Sequence, residues 1–188
     1  MKSSEVLSVL KITRPTLTKY VKTGKIKATK LPTGRYDYDE DSVFRLVNGN
    51  APRLTCIYGR VSTPKQRRDL DNQMEILKNF AMKNGYQVNR SFKDIASGIS
   101  FKNRKQFFEL LDLVIHHRVK YVIITYRDRL SRVGFDLFKY LFDQYHTQII
   151  VMSDLTDTRT DEEELFSEII SLLHCFAMKS YSKRRFLK

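Results

Sequence analysis

The sequence predicts an α/β chain in three parts: a small winged helix-turn-helix unit over residues 1–50, a mainly parallel-sheet domain over 53–158 and a long C-terminal helix over 159–188. Three observations predict it. After residue 52, short apolar runs alternate with segments of helical period, which is the pattern of a parallel sheet with covering helices. The turn-rich string Asn48-Gly49-Asn50-Ala51-Pro52 separates that alternation from a differently patterned front. From Asp161 onward the apolar residues gather into one wide helical stripe.

In the front part, Ser4–Leu10 and Thr13–Val21 each open on Ser or Thr and leave room only for a tight turn between them, as in a helix-turn-helix. Leu17 and Val21 hold the second helix on a core and leave Arg14, Thr16, Lys19 and Lys22 outward, with Tyr20 beside them. Gly24 to Tyr38 suits a hairpin with Pro32-Thr33-Gly34 at its tip and Lys27 and Arg35 on its arms. Asp39-Glu40-Asp41 then opens a third helix through Phe44 and Val47. The positive residues concentrate on the second helix and the hairpin. A DNA-reading unit is expected, with Arg14, Thr16, Lys19, Tyr20, Lys22, Lys27 and Arg35 as contacts; the bland alternative is a three-helix adaptor.

In the second part, Leu54–Tyr58, Tyr86–Phe92, Tyr121–Tyr126 and Gln148–Ser153 read as strands. Lys65–Lys83, Arg104–His117 and Phe135–Tyr145 read as helices. Thr63-Pro64-Lys65-Gln66 is a good helix opening, with Thr63 as cap, Pro64 at the first position and Gln66 where a capping box wants it. The tail starts acidic, Asp161 to Glu164, and ends basic, Lys183, Arg184, Arg185 and Lys188, as a helix dipole favours. Leu165, Ile169, Leu172 and Phe176 lie along its stripe, which is wider than packing on one small sheet requires.

The formal net charge is +13 over 188 residues. An excess of that size points to a polyanion, with nucleic acid ahead of an anionic membrane. No run approaches a membrane span and the N-terminus lacks a signal-peptide core, so a cytoplasmic, DNA-associated protein is expected. Cys56 and Cys175 stand far apart without zinc-finger spacing, and His116-His117 is a poor chelate, so no disulfide framework and no metal are expected.

Parallel sheets place their chemistry beyond the carboxyl ends of the strands. Three clusters fall there: Arg60 and Ser62 after the first strand, Asp94 and Ser97-Gly98 after the second, and Asp128-Arg129-Leu130-Ser131-Arg132 after the third. Arg60 and Ser62 share one side of an extended chain, so an anion held by the guanidinium would sit near the hydroxyl. If Ser62 attacks a phosphodiester, Arg60, Arg104, Arg129 and Arg132 can stabilise the added charge by forked hydrogen bonds. Asp128 would orient an arginine or move a proton to or from the leaving sugar oxygen. As plain surface chemistry, an Asp-Arg-Leu-Ser-Arg string after a strand would give ion pairs worth roughly 0–1 kcal/mol each. That explains one cluster and leaves the convergence of three.

Tyr58-Gly59-Arg60-Val61-Ser62-Thr63 with Gln66 and Gln73, Asp94-Ile95-Ala96-Ser97-Gly98 with Arg104, and Asp128-Arg129-Leu130-Ser131-Arg132 together resemble the serine recombinases of the resolvase/invertase superfamily. The resemblance implies that Ser62 forms a 5′-phosphoserine bond to DNA and that Arg60, Arg129 and Arg132 bind and activate the scissile phosphate. It places Asp128 and Arg104 in the same site, Tyr58, Gln66, Gln73 and Asp94 in support, and requires no metal or nucleotide cofactor. The front unit, with Thr33-Gly34-Arg35-Tyr36 at its wing, resembles MerR-like domains, and a reader placed first is similar to the small serine transposases of minimal insertion sequences. The resemblance also implies a C-terminal oligomerisation helix whose basic end, Lys183, Arg184 and Arg185, lies on double-stranded DNA, a homodimer, and a homotetramer in the synaptic complex. Two other readings remain at this point: a transcriptional regulator with a catalytically idle domain, and a metal-dependent nuclease or transposase, which no compact group of carboxylates at strand ends supports.

Overall fold

The computed structural model describes residues 1–153, apart from 99, 100, 102 and 133. The expected C-terminal helix, with Lys183, Arg184 and Arg185, lies outside the described residues.

The front begins with α1 (Ser3–Leu10) and α2 (Arg14–Lys22), joined through Lys11 in the left-handed region at φ 52°. An antiparallel pair follows, β1 (Ala28–Lys30) and β2 (Tyr36–Tyr38), whose turn is closed by Leu31 N–H to Arg35 O at 2.7 Å and by Gly34 at φ 77°. Helix α3 (Glu40–Val47) starts where the Asp39 carboxylate accepts from Ser42 N at 2.9 Å, a side-chain cap that satisfies an otherwise orphaned donor. Val6, Leu17, Ile26, Tyr38 and Val43 close a small core of their own.

After the turn at Asn48–Asn50, four parallel strands form one sheet in the order β4-β3-β5-β6. They are β3 (Leu54–Val61), β4 (Arg90–Ile95), β5 (Val119–Ile124) and β6 (Gln148–Val151). Helix α4 (Arg67–Lys83) covers one face, packing Met74, Leu77 and Ala81 on Ile57 and Ile123. Helices α5 (Lys105–Ile115) and α7 (Phe135–Gln144) pack Phe107, Leu110, Val114 and Phe142 on Cys56, Tyr58, Phe92, Val122 and Ile124 on the other face. β3 is buried from Thr55 to Val61 because it is covered on both sides. At Gly59 a Cβ would stand 2.7 Å from the Met74 sulfur, so the absence of a side chain sets how closely α4 approaches the strand.

Strand limits differ from expectation in all four strands, β5 lying two residues earlier at Val119–Ile124 and β6 ending at Val151, and those of β3 and β4 matter to the site. β3 runs on to Val61, which puts Arg60 inside the strand opposite Asp94 of β4. β4 begins at Arg90 rather than Tyr86, and ends beyond Phe92 at Ile95. The Asn89 side chain is the cause at its start: Oδ1 takes the Thr55 N–H at 2.8 Å while Asn89 N donates to Thr55 O at 2.9 Å, so the regular ladder opens one residue later. Tyr86 and Val88, whose alternation suggests a strand, pack as coil against the α4 side of the sheet. The helix expected from Lys65 starts as a 3-10 turn, Pro64–Gln66, before α4 proper.

At the amino ends of the strands α3 is docked on the sheet. The Phe44 ring, fully buried, lies 5.1 Å from that of His117 and 5.3 Å from that of His146, and Asn48 Nδ2 donates to His117 O at 3.0 Å. Among the described residues no helix is long and apolar enough to cross a membrane.

Candidate active site

The carboxyl ends of β3, β4 and β5 bring the three sequence clusters together, and one side chain joins them. Arg60 is fully buried at the end of β3. Its Nη1 donates to Ala96 O, just past β4, at 2.7 Å and to Ser62 Oγ at 3.3 Å. Its Nε donates to Arg129 O and its Nη2 to Asp128 O, both at 3.3 Å, on the single-turn helix α6 (Arg127–Leu130) that follows β5. The Asp128 carboxylate stands 4.0 Å from Arg60 Nη2 and 3.3 Å from Arg129 Nη1. Burial, followed by the nearby Arg104 and Arg129 cations, lowers the Arg60 pKa to about 10, with Asp128 acting the other way. The guanidinium therefore stays charged near neutral pH.

Ser62 sits half-buried one residue beyond the strand. Its main-chain N–H and that of Thr63 both donate to Gln66 Oε1 at 3.1 Å, and Thr63 Oγ1 does so at 3.2 Å. Gln66 thus pins the turn that carries Ser62, and its side chain is the returning half of the expected capping box.

Asp94, the register partner of Arg60 and so on the same face of the sheet, caps a helix: it accepts from Gln106 N at 3.1 Å and Phe107 N at 2.8 Å in the first turn of α5, and from the Tyr58 hydroxyl at 3.1 Å. Burial first, then the Asp94 charge, pushes the Tyr58 pKa up, so the phenol stays neutral. Arg104, fully buried, donates from Nε and Nη2 to Ser97 O at 3.0 and 2.7 Å and from Nη1 to Leu130 O, with Phe101 under its guanidinium at 4.3 Å. It ties the loop after β4 to the loop after β5. Arg132 is half-buried beside Gly98, its N–H 3.5 Å from Gly98 O. Gln73, on α4, lies against Gly59, and its Oε1 is buried without a hydrogen bond among the described residues.

The site is therefore legible in its side chains and hidden in its carbonyls. Ala96, Ser97, Asp128, Arg129 and Leu130 supply main-chain oxygens that hold Arg60 and Arg104, and a carbonyl leaves no trace in a residue string. Gly98 has a second role: a Cβ there would meet Arg60 Nη2 at 2.9 Å and two Arg132 carbons at 3.1 Å. Ser131 Oγ accepts from Gly134 N at 3.1 Å and shapes the approach to α7.

On the front unit Arg14, Lys19, Lys22, Lys27 and Arg35 are exposed, as expected of contact residues. Thr16 and Tyr20 are half-buried; Thr16 shares a hydrogen bond with Thr13 at 3.1 Å, and the Lys25 ammonium lies 5.2 Å over the Tyr20 ring.

Comparison with known proteins adds independent observations. The family model described as the resolvase N-terminal domain matches residues 55–185. A protein of Acanthamoeba polyphaga mimivirus that carries the provisional name of a resolvase is 32% identical over 192 residues, spanning 98% of this chain and 98% of its own length. A second from the same virus, provisionally named likewise, is 31% identical over 189 residues, spanning 99% and 96%. Among solved structures, the C-terminal catalytic domain of ISC1926 TnpA, an IS607-like serine recombinase, superposes with a TM-score of 0.62 at 38% identity, covering 67% of this chain and 84% of that domain. A serine recombinase from Sulfolobus solfataricus gives 0.60 at 32% identity, covering 70% and 88%.

Proposed function

The chain belongs to the resolvase family, and on that premise we propose that it is a serine recombinase that cuts DNA with Ser62, exchanges ends within a synaptic oligomer and reseals them. The observation that carries this reading is the Arg60 side chain, which touches Ser62 Oγ and the main chain of both other clusters at once. In the cutting step Ser62 loses its hydroxyl proton, Oγ bonds to phosphorus, the bond from phosphorus to the 3′ oxygen breaks, and that oxygen takes up a proton. The 5′ phosphate remains esterified to Ser62. Because one ester replaces another, the bond energy is conserved, and a 3′ hydroxyl from a second strand can reverse the step without ATP.

Arg60 faces the oxygen on which charge develops and steadies it as its proton leaves. Arg129 and Arg132 take the phosphoryl oxygens, Asp128 orients Arg129 and serves proton transfer, and Arg104, Asp94, Tyr58, Gln66 and Gln73 keep the loops in place. Residues 1–50 act as a MerR-like winged reader through Arg14, Thr16, Lys19, Tyr20, Lys22, Lys27 and Arg35. Residues 53–158 form the catalytic domain. Residues 159–188 join two copies into a dimer, and four in the synaptic complex, with Lys183, Arg184 and Arg185 on DNA. The order of reader and catalytic domain supports a transposase of the minimal insertion-sequence type.

The test is a denaturing gel for covalent protein–DNA adduct after incubation with duplex from the flanks of the protein's own gene. Ser62→Ala should abolish the adduct and leave binding of the same duplex nearly intact. An undiminished adduct in that variant would sink the assignment, and its absence from the parent would favour a DNA-binding regulator.

A further inference from the structure

Beside Ser62 the chain places three cations where local physics disfavours them. Lys65 lies in the 3-10 turn Pro64–Gln66, and Arg67 and Arg68 are the first two residues of α4. All three are exposed. Among the described residues none of their side chains makes a hydrogen bond or an ion pair, and Asp71, one turn along from Arg67, is held at 2.7 Å by Lys93 and meets Arg67 only as a more distant charge. The amino end of a helix favours negative side chains, so each of these cations works against the helix dipole, with only Asp69 in the first turn to offset them. The same helix carries Lys83 in its last turn, where the dipole welcomes it. A helix with its cations well placed at one end and badly placed at the other calls for an external anion at the bad end.

The patch is also rigidly tied to the nucleophile. Gln66 sits among the three cations and binds back to the main-chain N–H groups of Ser62 and Thr63, so Lys65 and Arg67 move with the strand end that carries Ser62. Phosphates advance about 3.4 Å along the axis for each nucleotide of one strand, so a basic patch one helical turn long spans two or three of them.

We propose that Lys65, Arg67 and Arg68 form a phosphate clamp that grips the DNA backbone flanking the bond at Ser62. The clamp reads no sequence; it sets the register in which the scissile phosphate meets the buried arginines. Its position relative to the scissile bond rests on the recombinase reading, whereas its contact with duplex backbone does not.

The experiment therefore separates the two. In the full-length Ser62→Ala chain, binding of the gene-flank duplex is measured against salt concentration for the parent, for Lys65→Gln/Arg67→Gln/Arg68→Gln, and for Lys78→Gln/Lys83→Gln as a control that removes the two lysines further along α4. The clamp variant should lose about 2–3 from the slope of log affinity against log salt, and the control should lose less than about 1. Its melting temperature should equal or exceed the parent's, because cations have left a helix amino end; a drop would mark a structural role and overturn the proposal. With Ser62 present, the clamp variant should give about ten-fold less adduct at physiological salt and recover at low salt. An unchanged salt slope overturns the clamp whether or not the parent cuts DNA. Absence of adduct from the parent overturns the recombinase reading and leaves the slope to decide the clamp. An unchanged slope accompanied by altered oligomerisation would assign the patch to a second copy of the chain.

Discussion

The two ends of the central sheet each bury an arginine, and they hold it in opposite ways. At the amino ends of the strands, the Arg53 side chain is 2% exposed, with Nη2 at 3.2 Å from Asp41 and 3.4 Å from Glu40, Nη1 donating to His146 O, and its guanidinium 4.3 Å over the Phe44 ring. Asp41 takes a second cation, Lys120, at 2.7 Å. At the carboxyl ends, Arg60 donates to three main-chain carbonyls and the Ser62 hydroxyl, and its nearest ion-pair partner, Asp128, stands at 4.0 Å. Carboxylates neutralise a cation; carbonyls orient it and leave its charge in force. The first arrangement fastens α3 to the sheet, and the second keeps a positive field beside a hydroxyl. Burial alone marks neither as functional: the partner's charge does.

The comparison breaks most visibly at Gly98. A methyl group there collides with Arg60 Nη2 at 2.9 Å and with Arg132, and Arg60 has no room to yield because its other donors are committed to carbonyls. Gly98→Ala should lower adduct formation roughly 100-fold, the scale expected when a reacting constellation shifts by about 1 Å. The readout is single-turnover adduct yield with thermal melting alongside. Unchanged chemistry would mean that the position of Arg60 does not govern Ser62.

At the opposite end the expected loss is in stability. Arg53→Met keeps much of the side-chain bulk over Phe44 but removes the cation, its bond to His146 O and its two carboxylate partners. The variant should lose about 2 kcal/mol in denaturant unfolding, from a desolvated hydrogen bond and the cation-π contact together. Its adduct yield per folded molecule on saturating DNA should match the parent's. A selective loss of adduct with stability unchanged would give Arg53 a part in the chemistry and erase the distinction between the ends.

How much of this was legible in the sequence follows the same division. The alternation after residue 52 foretold a parallel sheet, and the ordered Arg60/Ser62, Asp94 and Asp128-Arg129 clusters foretold one populated edge, because strand ends in a parallel sheet share a side. The reach of β3 to Val61 was hidden, since Gly59 and Arg60 look like strand breakers until Met74 packs over the glycine and Asp94 pairs with the arginine's position. Asp94 was legible as a supporting position at the end of the second strand, but how it supports was not: only the geometry of Gln106 N and Phe107 N shows it capping α5. The docking of α3 left almost no signal. Phe44 looks like an ordinary core residue of the front helix, whereas its partners His117 and His146 lie on turns far along the chain.

Those histidines give the smallest expected effect and the sharpest way to tell the ends apart by pH. His117 is half-buried against Phe44, and burial lowers its pKa below 6.5; its hydrogen bond to Tyr145 O acts against that, while His146, Arg53 and His116 add to the lowering. A histidine with a depressed folded-state pKa binds fewer protons folded than unfolded, so its contribution to stability is present above pH 6.5 and is lost as pH falls through the folded value. His117 also occupies the left-handed region at φ 56°, where asparagine is tolerated and most residues are strained. His117→Asn should therefore keep the turn and reduce by about 1–3 °C the fall in melting temperature between pH 7 and pH 5. Arg60, charged until pH approaches about 10, does not titrate in that window. If His117→Asn melts with the parent's full acid sensitivity, the pH response belongs to groups other than this docked histidine.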